Sequence, residues 1–280
     1  DFEHMKDMGG EKLKDMAKNM DFEHMKDMGG EKLKDMAKNM DFEHMKDMGG
    51  EKLKDMAKNM DFEHMKDMGG EKLSDMAKNM DFEHMKDMGG EKLSDMAKNM
   101  DGEHFHDLGG EKVLSMAQEM DKSLLSNLGN DQAKGMAKAM EGDQISTLEG
   151  GQIVGLAKGI KPEEITEIGK DKILSMVDKI DGQEVGNLGE EHLSSMMSGL
   201  DGVQIIGLET EKKISIVDNL DANFFESKDA TFQDIQGKTS SEARPTIDES
   251  KVGNTKVAAK DSKEQERVQS VFRRDGLFSK

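Results

Sequence analysis

The chain has 280 residues, a formal net charge of −19, no Cys, Trp or Tyr, and 27 Met. Without cysteine, disulfides, thiol nucleophiles and thiolate metal sites are excluded, and with so few aromatics the core has to be aliphatic and thioether. Lys and Arg are interleaved with carboxylates, which makes nucleic acid a poor partner, and no run is long and apolar enough to span a bilayer.

The sequence DFEHMKDMGGEKLKDMAKNM stands at Asp1 to Met20 and recurs, with at most one change per copy, through Met100. Its apolar residues Met5 and Met8, then Leu13, Met16, Ala17 and Met20, have i, i+3, i+4 spacing on either side of Gly9-Gly10, which predicts two short helices joined by a turn. Asp1 suits the N-cap of the first helix, and Gly9 suits its end in a left-handed conformation. Glu11 opens the second helix, with Lys14 and Lys18 toward its C-terminus, and the pairs Glu11/Lys14 and Asp15/Lys18 read as part of a solvated face. Helices this short fall below the ~12–15 residues needed for marginal stability alone, so the unit must stack on its neighbours. The expected fold is therefore all-α, a solenoid of 20-residue two-helix repeats. About eleven hairpin layers at ~9–10 Å spacing would make a rod on the order of 100 Å.

Residues 1–100 hold five near-identical copies, and 101–225 continue the frame in drifted form. The drift serves as an internal control on what each position needs. Met5 is matched by Phe105, Leu125, Ile145, Ile165, Val185 and Ile205, and Met8 by Leu108, Leu128, Leu148, Ile168, Leu188 and Leu208. Such replacements mark core positions. Pro162 falls at a first helical position, where its missing N–H costs nothing. Residues 226–280 turn polar and read as a flexible tail, with a short amphipathic helix expected over 262–275. The chain starts at Asp1 without an initiator Met, as a processed protein or a fragment would.

One constellation could carry chemistry. His4 with Met8, His24 with Met28, His44 with Met48, His64 with Met68 and His84 with Met88 place imidazole and thioether at i, i+4, a pairing suited to Cu(I) or Ag(I). In the drifted copies these histidines become Leu124, Gln144, Glu164, Glu184 and Gln204, and the methionines become aliphatic, as surface and core residues do. The main reading is thus core Met and exposed His, with soft-metal sequestration as the alternative. No calcium loop, phosphate-binding glycine motif or catalytic nucleophile arrangement occurs, so neither an enzyme nor a cofactor is expected.

In the drifted region, Asp143-Gln144-Ile145-Ser146-Thr147-Leu148 and Gly151-Gln152-Ile153-Val154-Gly155-Leu156 repeat a Q-I-x-x-L pattern. This resembles the helical arrays of long repetitive bacterial surface proteins. The resemblance implies a structural or interaction scaffold at the cell surface or in the extracellular space, acting through protein partners or self-association.

Overall fold

In a computed structural model the described residues are 7–220, and among them every regular element is helical. The tail from Glu226 and its expected helix lie outside the described residues, as does His4. Each repeat contributes a first helix, A, and a second helix, B. Phe42–Met48 and Gly50–Lys58 are one such pair. Asp41 caps the A helix as expected, its carboxylate accepting from the His44 N–H at 2.9 Å. In the ninth repeat, Pro162 starts the A segment, which winds as a 3₁₀ helix over Pro162–Ile168.

A single glycine separates A from B. Gly49 has φ 84° and ψ 156°, so its φ is positive as expected, but its ψ lies outside the left-handed helical well, in a region that glycine alone enters without strain. Its N–H closes the A helix on the Met45 and Lys46 carbonyls, and its carbonyl accepts from Leu53 to start B. Gly50, the second of the pair, is required for a different reason. A Cβ there would stand 2.8 Å from the Asn79 carbonyl oxygen and 2.7 Å from His84 Nδ1, both belonging to the next layer. Gly109, Gly169 and Gly189 keep the positive φ, but three drifted copies turn this corner without it. Gly129 has φ −68°, and Glu149 has φ −69° with its N–H donating to the Gln152 side chain at 3.0 Å. Gly49→Ala is therefore expected to cost about 1–3 kcal/mol, whereas Gly129→Ala needs only the flexible end of Gln132 to move. Chemical denaturation of the two variants compares them.

The corner direction changes how the repeats stack. In place of stacked hairpins, each helix packs on the third helix after it. Gly9–Asn19 lies on Phe42–Met48, Phe22–Met28 on Gly50–Lys58, and Gly30–Lys38 on Phe62–Met68, with the same step continuing along the chain. One superhelical turn thus takes three helices, or one and a half repeats, and A and B helices alternate in every stack. The 21 described helices complete seven turns. At ~9–10 Å per layer the described solenoid is on the order of 65 Å long, shorter than eleven hairpin layers would make it.

One continuous core runs from Leu13 to Leu220. Its walls are the positions that the drift marked: Met45, Met65 and Met85 are as fully enclosed as Phe105, Leu125 and Ile145, which stand in their place. Ala37, Ala57 and Ala77 are buried where helices cross closely. Methionine fills these sites because its unbranched chain adapts to the gap left by its neighbours.

Candidate functional site

The features shared by all the turns lie at the junctions where one layer meets the next. The end of a B helix leaves carbonyls without intrahelical partners. Here they are met from the layer above. Lys52 donates to the Met20 carbonyl, Lys92 to Met60 and Lys112 to Met80, each reaching back to the C-terminal end of a B helix in the preceding layer. Gln132 does the same to Met100 at 2.8 Å, and His192 Nε2 lies 3.1 Å from the Ile160 carbonyl. Gln152 spans three carbonyls, those of Ala117, Gln118 and Met120, at 3.1, 2.9 and 2.9 Å. Its amide forms the back of a surface hollow of about 490 Å³ edged by Asp121, Lys122 and Thr147. Sequence reasoning assigns Lys12 and its equivalents no role. The signal is present, since Lys, Gln and His all carry an N–H donor and the drift exchanges only among them at these positions.

The histidines sit at the same junctions. The main reading from sequence has them exposed, but the side chains of His44, His64 and His84 are only 23, 22 and 21% exposed. The reason is that each ring is held from two sides. His44 Nδ1 lies 3.3 Å from the Asp41 backbone nitrogen and 2.7 Å from its Oδ1, and Nε2 lies 3.4 Å from Glu11 Oε2 in the layer below. A neutral ring accepts from the Asp41 N–H and donates to Glu11; a protonated ring donates to both carboxylates. His64 with Glu31 and His84 with Glu51 repeat the arrangement. Met48, Met68 and Met88 are buried, and Met8 and Met28 pack partly buried against the core. Among the described residues no three acidic or histidine side chains converge to hold a metal directly.

Of the lysines on the expected solvated face, Lys18 is exposed as expected, but Lys14 and its equivalents Lys34 and Lys54 are enclosed. The Lys34 side chain is 7% exposed, with Nζ 2.7 Å from Glu31, 3.6 Å from Asp35 and 3.5 Å from Asp67 one layer on. Lys54 repeats this with Glu51, Asp55 and Asp87. The Glu31 hydrogen bond is the chief reason the Lys34 ammonium is held above the ordinary lysine range. In the drifted region Lys134 makes the same reach, to Glu164 and Glu167. With Asn130 as the leading contact and Lys134 next, the Glu164 carboxyl drops to about 2.

Acidic groups at the junctions divide into two kinds. Asp41, Asp61 and Asp81 lie below the usual carboxylate range, chiefly because each accepts a backbone N–H. Their contribution is full above the unfolded-state pKa and is lost as pH falls through the depressed folded value. Asp55, Asp75 and Asp95 are pushed up by burial, so in them ionisation opposes folding and acidification relieves the cost. The register suggests what covers them. A Cβ on Gly142 or Gly182 would meet Ser175 or Ser215 one layer on. The same step along the chain pairs Phe22 with Asp55, Phe42 with Asp75 and Phe62 with Asp95. These phenylalanines are themselves 36–38% exposed.

Comparison with protein-family models, curated proteins and solved structures returned no match. Fold and junctions together define an all-α repeat solenoid. No described helix is long and apolar enough to cross a membrane.

Proposed function

We propose that the chain is a non-enzymatic scaffold, an elongated repeat protein of a cell surface or envelope that sets distance and presents its sides to protein partners or to further copies of itself. The observation that carries this reading is the single core running through all the described turns, closed at every junction by the repeat's own side chains. Polar groups that resemble a reactive set, such as Asp41, His44 and Glu11, satisfy one another between layers, and the same set recurs at His64 with Glu31 and His84 with Glu51. A solenoid of this kind lengthens by about two-thirds of a layer for each unit added, without altering any existing contact. That property suits a spacer. Besides Met16 and Val203, the exposed apolar groups it offers to a partner are Phe22, Phe42, Phe62 and Phe82, set two-thirds of a turn apart, so that successive rings face different sides.

Titration calorimetry with Ag(I) on 1–100 and on 121–220 tests the proposal against sequestration. A scaffold gives weak, non-stoichiometric heats in both fragments. A tight isotherm of one ion per unit confined to 1–100 would replace the scaffold by a metal store, since the His/Met pairs lie there and 121–220 keeps only His192.

A further inference from the structure

Methionine is unevenly placed along the core. Each of the five near-identical copies carries four, at the places of Met5, Met8, Met16 and Met20, which is 20 of the 27 in the chain. The sixth and seventh copies keep two each, Met116 and Met120, then Met136 and Met140. The eighth, 141–160, has none: Ile145, Leu148, Leu156 and Ile160 stand at the same four places and are buried. Side chains without sulfur therefore satisfy the packing, and what the first copies add is the thioether.

Access to these sulfurs differs along the solenoid. Met36, Met56, Met76 and Met96 are fully buried, whereas Met16, at the equivalent place in the first copy, is 36% exposed, the most open methionine among the described residues. Met8, Met20 and Met28, in the same first turn, are half-buried. The helix that carries Met16, Gly9–Asn19, stacks on Phe42–Met48 and has no helix stacked behind it among the described residues. Phe42–Met48, by contrast, is held from both sides, by Gly9–Asn19 and by Gly70–Lys78. At the opposite end of the described solenoid, 201–220 contains no methionine. An open thioether and a helix held from one side thus coincide at one end alone.

We propose that the methionines from Met8 to Met140 form a sacrificial store that reduces hydroperoxides and is oxidised in order from Met16 inward. The thioether sulfur takes one oxygen of the peroxide as the O–O bond breaks, giving up two electrons and becoming a sulfoxide. The hydrogen on that oxygen passes to the other, which leaves as water or, from an organic peroxide, as an alcohol. A sulfoxide turned toward an apolar core is a polar group with no donor to meet it, so the helix that carries it loosens. Loosening Gly9–Asn19 uncovers Phe42–Met48 and with it Met45 and Met48, and the same chemistry then recurs layer by layer. Each layer of a solenoid depends on its neighbours alone, so the advance does not require the whole chain to unfold. It slows in the sixth and seventh copies, where half the thioethers are gone, and ends at the eighth, whose core offers no sulfur.

The test exposes the full chain to millimolar hydrogen peroxide and follows sulfoxide by mass spectrometry of tryptic peptides and helix by circular dichroism. A variant with Met8→Leu, Met16→Leu, Met20→Leu and Met28→Leu is treated alongside. Leu108, Leu156 and Leu200 stand at the corresponding places in later copies, so the variant's core is one that the chain already builds. Trypsin releases Met16, Met36 and Met56 in one shared peptide, and Met76 and Met96 in a second, longer one because Ser74 and Ser94 remove a cleavage site. In the natural chain the first peptide should show an early phase from Met16 and a later one from Met36 and Met56. The second peptide should follow, Met176, Met196 and Met197 should stay reduced, and helix should be lost in step. In the variant Met36 and Met56 should stay reduced several times longer. An unchanged rate at Met36 and Met56 in the variant would overturn the proposal, as would oxidation of Met176 and Met196 that keeps pace with them, or full oxidation with the helix intact.

Discussion

Leu73→Asp should destabilise the solenoid by roughly 4 kcal/mol or more, whereas His64→Gln should change its stability by less than about 0.5 kcal/mol. Leu73 is fully enclosed in the common core, so the aspartate would leave a cavity and a charge with no counter-ion provided for it. His64 is also largely covered, yet its task is one that glutamine performs elsewhere in the chain. Gln144 and Gln204 occupy the same place in later repeats, and their Oε1 atoms accept from the Glu141 and Asp201 backbone N–H at 2.8 and 3.1 Å. The cap survives the exchange, and what is lost is the contact with Glu31, an exposed carboxylate whose pairing contributes little. Urea melts of the two variants measure the difference. Comparable losses would mean that the imidazole holds the layers together through something beyond the cap.

That contrast bears on what the sequence made legible. The core could be read because drift exchanges Met only for other apolar residues, and the caps because Asp recurs one residue ahead of the A helices, with Glu141 and Lys161 as the exceptions. The covered histidines and lysines could not be read the same way. His44 meets Glu11 from the layer below, and Lys54 meets Asp87 from the layer above, across a step along the chain that is not a multiple of the repeat. Only the superhelix brings these residues together, and its pitch depends on the backbone direction at Gly49, which periodicity does not encode. The Lys12 position is different in kind. Its exchange among Lys, Gln and His preserves an N–H donor and nothing else, so a comparison by hydrogen-bonding capacity, in place of charge, would have found the inter-layer cap. The two glycines at each corner of the first six repeats likewise look equivalent in sequence, yet Gly49 is required by its own backbone and Gly50 by the carbonyl of Asn79.

The three-helix turn also sets how much chain is needed before anything folds. A peptide of one unit, residues 21–40, contains two helices of seven and nine residues and should show little helix in water, whereas residues 1–100 should be predominantly helical by circular dichroism. A helix gains its main partner only when the third helix after it is present, so one unit makes no stack at all and two units allow the first. Each further helix then adds a complete stacking contact and the inter-layer hydrogen bond from a residue such as Lys72 to Met40, while the ordering of its own few residues costs the same each time. Helicity should accordingly rise steeply between one unit and three, and then level off per residue as interior layers outnumber ends. Independently folding hairpins would give a different curve, with the single unit already as helical per residue as the five-unit chain. A strongly helical 21–40 peptide would therefore remove the argument that these helices exist only because they stack.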